Sequence, residues 1–268
     1  MKLHPYLFAV ALAFTTVVAC STSPTGRRQL MAVNDKEMDQ MGFQAFEEIK
    51  KKQKISHDPA QNQYVKCITN AIVAVAPDSQ GWEVVVFQDD SANAFALPGK
   101  KIGVHTGLLK VARTQDQVAA VLGHEVGHVM ARHSAERVSA DAVSGLGMSI
   151  AGAIGSIFVD PNSNAFKLGM GALGVGVQFG AVMPYGRAHE SEADVIGLDL
   201  MAQAGFNPQD SVQLWKNMAE GSKGSPPEFL STHPSNETRI QGLQAKMAPA
   251  LQKYQAAQAA GRRPACRL

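Results

Sequence analysis

The residues with the clearest chemical meaning are the two histidines and the glutamate of the segment His124-Glu125-Val126-Gly127-His128. Residues four positions apart on a helix lie about 40° apart around its axis, so both imidazoles project from one face and can share a metal ion. Glu125 is offset from that face, where it can accept a proton from a metal-bound water. The alternative is a buried helix whose histidines bond only to protein groups.

A third ligand is needed, because a catalytic zinc site uses three protein ligands. The same helix does not supply it. His133 lies about 140° around a continuous helix from His128 and cannot reach the same ion. The metzincin pattern also fails, because Ala131 and Ser134 stand where that class has glycine and histidine.

A later acidic segment offers the missing ligand. Glu190 and Asp194 are spaced i, i+4 and share a helix face, whereas Glu192 points about 200° away. One carboxylate can bind the metal while the other accepts a hydrogen bond from the second nitrogen of a ligating imidazole. We predict that Glu190 is the ligand and Asp194 the orienting group, with Glu192 in a solvated helix start.

The elements that must position these side chains are mainly helical. A capping box, Thr114 with Gln117, opens a helix that carries the histidine motif and is predicted to run to about Val138. Other predicted elements are helices at 34–52, 61–75 and 187–204, a strand at 82–87 and a hairpin at 93–106. The pattern predicts an α+β fold that is predominantly helical, with one small sheet.

Four stretches of the chain resemble the M48 family of zinc metallopeptidases and follow the family's order. They are Asn93-Ala94-Phe95-Ala96-Leu97-Pro98-Gly99 with Gly107-Leu108-Leu109, the segment 124–128, Arg187-x-x-Glu190-x-x-Ala193-Asp194, and His233-Pro234 with Arg239. One departure is Lys100, where many relatives have a second glycine, and it puts the shape of the hairpin in doubt. In size and in its expected lipid anchor, the chain is most similar to the LoiP-like lipoproteins of that family.

The resemblance implies a zincin-like metallopeptidase with a small sheet and an active-site helix that carries the histidine motif. It implies one zinc ion bound by His124, His128 and Glu190, with Glu125 as the catalytic general base. The corresponding activity is that of a zinc metalloendopeptidase.

The resemblance also assigns roles outside the metal ligands. Family members place the equivalent of His233 near the metal, where it stabilises the oxyanion or occupies the water site in a closed state, and Arg239 would support that loop. A turn histidine is the alternative for His233, because a His-Pro pair alone is a weak signal. The edge strand that begins with Asn93, Ala94 and Phe95 could bind an extended substrate by β-augmentation.

The N-terminus reads as a targeting segment. Residues 1–19 resemble a signal peptide of the lipoprotein type, followed by Cys20 as the lipidation site and a lipidated tether at 20–33. An ordinary signal peptide with a chance cysteine is the alternative. Ser21 after the cysteine favours the periplasmic face of the bacterial outer membrane. We expect a single metallopeptidase domain at 34–248 and a C-terminal tail at 249–268.

Composition sets the broad class of the protein. The 268 residues are 45% hydrophobic and carry a formal net charge of +2, which disfavours nucleic acid as a partner. The content of apolar residues excludes a disordered chain, and three cysteines are too few for a disulfide scaffold. Two stretches without charged residues, 142–159 and 168–186, either pack as helices over the active site or enter the membrane.

The other two cysteines leave a second question open. If Cys20 carries lipid, Cys67 and Cys266 remain as a pair in an oxidising compartment. They could form a disulfide that ties the tail to an early helix. The alternative is that Cys67 is a buried apolar residue and Cys266 a free tail residue.

These observations lead to one expected function and one rival. We expect a zinc-dependent endopeptidase that cleaves unfolded or misassembled envelope proteins, a substrate class that the family resemblance alone implies. The rival is a chaperone-like or binding lipoprotein whose zinc site is gated or silent.

Overall fold

The structure is a computed structural model that describes residues 19–143, 173, 186–220, 228–233 and 237–268. The expected signal peptide up to residue 18, Pro234 and nearly all of the two stretches without charge lie outside the described residues. Among the helices that are described, none is both long enough and apolar enough to span a membrane.

The described part of the chain is mostly helical, with two small sheets. The helices are α1 (Asp35–Lys52), α2 (Pro59–Val73), α3 (Leu108–Val111), α4 (Gln115–Met130), α5 (His133–Val143), α6 (Arg187–Ala204), α7 (Gln209–Glu220), α8 (Glu228–Thr232) and α9 (Glu237–Ala259). The strands are β1 (Ala19–Thr22), β2 (Arg28–Met31), β3 (Glu83–Phe87), β4 (Ala94–Leu97) and β5 (Lys101–His105). The predicted fold class is therefore confirmed.

The three-stranded sheet has the order β3-β5-β4, with β3 parallel and β4 antiparallel to the central β5. The β4–β5 turn places Gly99 at φ 74° and Lys100 at φ 61°. Both are in the left-handed region, and they lie in a three-residue loop, because Leu97 pairs with Lys101. The Asp39 carboxylate also accepts a hydrogen bond from the Gly99 N–H at 2.7 Å. The hairpin therefore forms with a lysine where many relatives have glycine.

The helix that carries the histidine motif ends earlier than predicted. The Thr114 side chain caps α4 as expected, accepting from the N–H of Gln117 at 3.2 Å. However, α4 ends at Met130, Arg132 adopts a left-handed φ of 56°, and a separate helix begins at His133. A left-handed residue terminates a helix and redirects the chain. The premise of one continuous helix through His133 is therefore wrong, although His133 does lie outside the group of candidate metal ligands.

Both ends of the described chain pack more closely than expected. Residues 19–31, most of the expected tether at 20–33, form the β1–β2 hairpin. Helix α9 runs through residue 248 without a break, and Cys266 is disulfide-bonded to Cys67 with a Cα–Cα distance of 5.8 Å. The Gln115 side chain bonds the backbone at Pro264 and Cys266, at 2.9 Å each. Residues 260–266 are thus held against the domain.

Helices α4 and α6 cross in close contact because glycines line their interface. A Cβ added at Gly197 would lie 2.6 Å from the backbone nitrogen of His124 and 2.7 Å from the carbonyl carbon of Gly123. At Gly127 it would lie 2.9 Å from the carbonyl oxygen of Ala193. Since α4 carries the two histidines and α6 the acidic residues, this contact sets the distance between them.

We expect Gly197→Ala to lower the free energy of unfolding by about 1–3 kcal/mol, because the added methyl group meets rigid backbone. Urea unfolding of the metal-free protein measures this effect. Gly242→Ala is the matched control, since a Cβ at Gly242 in α9 meets nothing within 4 Å. The control should be neutral or stabilising by up to about 1 kcal/mol. Equal stability of the two variants would contradict a close helix contact.

Candidate metal centre

Four buried side chains converge where α4, α6 and the segment after α8 meet. They are His124, His128, Glu190 and His233, and one ligand atom from each lies within 4.8 Å of the others. The Nε2 atoms of His124 and His128 are 3.0 Å apart. Each lies 3.5 Å from a carboxylate oxygen of Glu190. Sequence spacing placed the histidines on one face, and the fold brings Glu190 opposite that face.

Asp194 and Arg239 support His124 on the side of its ring that faces away from the other ligands. The Nδ1 of His124 lies 3.0 Å from Asp194 Oδ1. Arg239 donates two hydrogen bonds of 2.7 Å to the same carboxylate, in the forked geometry that suits a guanidinium. A carboxylate at Nδ1 fixes the tautomer that leaves Nε2 without a proton, facing the cluster. Arg239 also donates to the carbonyl of His233 at 3.4 Å, which is compatible with its predicted support of that loop, and the roles of Asp194 and Arg239 stay predictions.

The electrostatics favour an ionised carboxylate among the histidines. Burial disfavours a charge on His124, but hydrogen bonds to Asp194 and Glu190 outweigh it and raise the pKa of His124 to about 9. At His128 burial outweighs the opposing hydrogen bond to Glu190, so the pKa of His128 lies well below its usual value. Although burial favours protonation of Glu190, the neighbouring histidines hold the pKa of Glu190 well below its usual range.

Glu125 lies beside the cluster without joining it. Its Oε2 accepts a hydrogen bond of 2.9 Å from the N–H of Ala96 in β4. Its Oε1 makes no hydrogen bond within the described residues, although the side chain is only 2% exposed. Burial raises the pKa of Glu125, despite the opposing effect of His233 and His124. A buried carboxylate with one free oxygen and a raised pKa is suited to general base catalysis.

His233 reaches the same space from the end of α8. Its Nδ1 lies 3.1 Å from Glu190 Oε1 and 3.3 Å from His124 Nε2. Its Nε2 lies 3.4 Å from Glu125 Oε1. The ring stacks on Phe229 with centroids 4.5 Å apart. His233 therefore contacts the other members of the cluster and also the candidate base, Glu125.

The residues present fit a zinc ion. Two imidazole nitrogens and a carboxylate oxygen are a common set of protein ligands at catalytic zinc sites. Glu125 Oε1 is also a buried oxygen that makes no hydrogen bond within the described residues, and a water near His124 and His128 would satisfy it. Glu190 Oε2 pairs with the Arg239 guanidinium at 2.7 Å, while Glu190 Oε1 lies 3.5 Å from Nε2 of His128.

The structure does not bring the predicted substrate-binding side chains to the cluster. Asn93 donates a hydrogen bond to Glu228 at 3.1 Å, and Ala94 is buried. The Phe95 ring stacks in the core on Phe87, 6.1 Å away. The backbone of β4 reaches Glu125 through the Ala96 N–H, and β4 is an edge strand of the three-stranded sheet. Substrate binding by β-augmentation along this edge, as the sequence suggested, stays a prediction. The lipidation candidate Cys20 lies elsewhere, in β1.

Two residues behind His128 were missed by the sequence analysis. His133 Nδ1 lies 2.9 Å from His128 Nδ1, and its Nε2 lies 3.1 Å from Glu192 Oε2. The expectation that Glu192 is solvated is wrong, since it is 5% exposed. No spacing signal could have found this contact, because it depends on the left-handed turn at Arg132.

Two crossing helices that bring a histidine pair and a glutamate together beside a buried glutamate define a zincin-like metallopeptidase centre. Comparison with known proteins gives the particular family. The sequence model of peptidase family M48 matches residues 59–247, about seven-tenths of the chain, and the protein belongs to this family. The resemblance noted in the sequence is thereby confirmed.

Several characterised relatives are similar over a large part of this chain. The mitochondrial metalloendopeptidase OMA1 of Schizosaccharomyces pombe is 39% identical over 184 residues, which are 68% of this chain and 51% of that protein. The bovine metalloendopeptidase OMA1 is 31% identical over 232 residues, covering 82% and 44%. The beta-barrel assembly-enhancing protease of Escherichia coli is 30% identical over 207 residues, covering 75% and 42%.

The chain spans about half or less of the length of these relatives. Their names, two metalloendopeptidases and a protease, agree with a metal-dependent peptidase centre. None of them carries the name of the LoiP-like subgroup, which stays a prediction.

Proposed function

We propose that this protein is a zinc-dependent endopeptidase in which His124, His128 and Glu190 hold the metal. The observation that carries the proposal is the buried Glu125 Oε1, which has no hydrogen-bond partner within the described residues and lies beside the ligand cluster. A structural metal site has no use for an ionisable group in that position. Family membership and the names of the relatives support the same activity.

The chain's own residues account for the proton transfers. A zinc ion, when bound, polarises the scissile carbonyl and lowers the pKa of water to about 7. Glu125 takes a proton from the attacking water and gives it to the leaving amine, with the Ala96 N–H fixing its other oxygen. Asp194 accepts a hydrogen bond from Nδ1–H of His124, so Nε2 is the nitrogen that gives up its proton to bind the metal. His233, whose Nε2 lies 3.4 Å from Glu125 Oε1, would donate a hydrogen bond to the oxyanion of the tetrahedral intermediate.

The substrate class and the location are part of the same proposal. Unfolded or misassembled envelope polypeptides are the proposed substrates, bound as extended strands along the β4 edge. The similarity to a beta-barrel assembly-enhancing protease supports this class, whereas the mitochondrial names of other relatives point to a different membrane system. Lipid attachment at Cys20 would hold the protein on the periplasmic face of the outer membrane.

The test combines metal analysis with proteolysis. We expect the purified protein to contain about one zinc ion per chain and to cleave unfolded casein in a chelator-sensitive way. Metal content is measured by elemental analysis and cleavage by gel electrophoresis. Absence of zinc from a folded protein supplied with zinc would overturn the proposal.

A gated or silent site is the second candidate, because His233 lies within hydrogen-bond distance of both His124 and Glu190. With a gated site, the protein binds polypeptides but cleaves them only when His233 moves away from the metal ligands. Zinc binding without casein cleavage, followed by cleavage in His233→Ala, would favour a gated site. Zinc binding without cleavage in both proteins would favour a binding or chaperone-like role.

A further inference from the structure

The two histidines of the metal centre are supported in different ways. His124 meets a carboxylate directly, since its Nδ1 lies 3.0 Å from Asp194. His128 meets another imidazole, since its Nδ1 lies 2.9 Å from Nδ1 of His133. His133 in turn meets a carboxylate, with its Nε2 3.1 Å from Glu192. The proposed catalytic cycle gives His133 and Glu192 no role.

This chain of contacts fixes the tautomer of His128. An ionised Glu192 only accepts hydrogen bonds, so His133 donates its Nε2–H to that carboxylate. In a neutral His133 the Nδ1 is then an acceptor, and His128 must donate its Nδ1–H to it. Nε2 of His128 is left without a proton on the side of Glu190, as a metal ligand requires. Burial lowers the pKa of His133, which is consistent with its neutral form.

The supporting residues close into a ring of five side chains. The His133 ring stacks on His189 at 4.4 Å, and Nε2 of His189 lies 3.1 Å from Glu136. Arg27 joins the two carboxylates, donating to Glu136 at 2.6 and 2.7 Å and to Glu192 at 2.8 Å. Arg27 is therefore the only residue of the ring that bonds both carboxylates among the contacts described.

Arg27 belongs to the β1–β2 hairpin, and its neighbours reach the same place. The Thr25 hydroxyl donates to Glu192 at 2.5 Å. The Gln29 side chain donates to Glu136 at 3.0 Å and to the carbonyl of Ala131 at 2.6 Å. Ala131 is the last residue before the left-handed turn that brings His133 back toward His128. Side chains of the hairpin thus donate hydrogen bonds both to the carboxylates of the ring and to the backbone of the left-handed turn.

We propose that the β1–β2 hairpin supports the metal centre. In this proposal Arg27 is a positioning residue that orients the imidazole of His128 by acting through Glu192 and His133. The inference rests on the zinc site of the proposed function. Arg27 is separated from Glu192 by 165 positions in the chain, so this support exists only when the hairpin is docked. Detachment of the hairpin would weaken metal binding without removing any ligand.

The test is the zinc dissociation constant of the full-length protein, measured by competition with a chromophoric chelator. We expect Arg27→Ala to raise the dissociation constant by about 10-fold or more, since loss of outer-shell partners costs 10–100-fold in affinity. Arg28→Ala is the matched control, because Arg28 is the exposed neighbour of Arg27 in the same hairpin and should leave the constant unchanged. Arg27→Lys should restore only part of the affinity, because an ammonium group cannot fork between two carboxylates.

A double-mutant cycle separates positioning from a general loss of structure. If Arg27 acts through His133, Arg27→Ala adds little to the loss that His133→Gln already causes. Thr25→Val is a milder variant at an exposed position, and we expect a smaller loss in the same direction. Circular dichroism of the chelator-treated proteins checks that each variant is folded.

Two results would overturn the inference. One is a dissociation constant of folded Arg27→Ala within twofold of the wild type. The other is fully additive losses for Arg27→Ala and His133→Gln, which would mean that the two side chains act independently. Failure of the wild-type protein to bind zinc is a different outcome, since it would contradict the proposed function and this inference with it.

Discussion

Replacing Glu125 by glutamine lowers the rate of peptide hydrolysis by about 10²–10⁴-fold while zinc binding is retained, which is the range expected for loss of a general acid–base group. The side-chain oxygen of glutamine still accepts the hydrogen bond from the Ala96 N–H, now 2.9 Å from Glu125 Oε2. Its amide nitrogen then takes the place of Oε1, where it cannot accept a proton from water. The rate of hydrolysis is measured with a quenched fluorescent peptide. Retention of the metal is measured as the zinc content of the same sample.

The matched control for this variant is Glu37→Gln. Glu37 is an exposed glutamate in the first turn of α1 and takes no part in the metal centre. Its replacement should leave both the rate and the zinc content unchanged. Wild-type rates in a zinc-loaded Glu125→Gln protein would exclude Glu125 as the base.

The second large effect is expected on removal of the metal. A chelator should abolish hydrolysis and lower the midpoint of thermal unfolding by about 10 °C, because zinc at 1,000 times its dissociation constant contributes about 4 kcal/mol to stability. Without the cation, the buried His124 and Glu190 lose the partner that they share, although Arg239 still pairs with Glu190 at 2.7 Å. Calorimetry with chelator, and again after addition of zinc, measures the shift and its reversal.

Glu190→Gln distinguishes a metal effect from an effect of the chelator on the protein. An amide is a poor zinc ligand, so this variant should show no rise in unfolding temperature when zinc is added. Glu37→Gln again serves as the control and should respond like the wild type. An equal response of Glu190→Gln and the wild type to zinc would exclude Glu190 as a ligand.

Local patterns in the sequence predicted the elements around the site. The capping residue Thr114 was identified from spacing alone, and it accepts the hydrogen bond expected of a helix cap. The fold class followed from the same patterns, because caps and apolar periodicity depend on residues within one or two turns. The end of α4 did not follow, because its apolar pattern continues past the left-handed Arg132.

Long-range contacts changed the interpretation of several charged residues. Glu192 lies on the opposite side of α6 from Glu190, and by helical spacing alone that side faces solvent. In the folded protein it accepts hydrogen bonds from Thr25 and Arg27, more than 160 positions away in the chain. Likewise, the expected tether packs as a hairpin, and the cysteine pair left open by the sequence is joined.

The sequence by itself determined which residues can carry the chemistry, because a helix of 3.6 residues per turn puts His124 and His128 on one face and Glu190 with Asp194 on another. The tertiary structure decided that these two faces meet, through glycines that let α4 and α6 approach closely. It also decided that a hairpin near the N-terminus supports His128 through His133. Helical periodicity is a property of neighbouring residues, whereas a contact between distant segments depends on the packing of the whole domain.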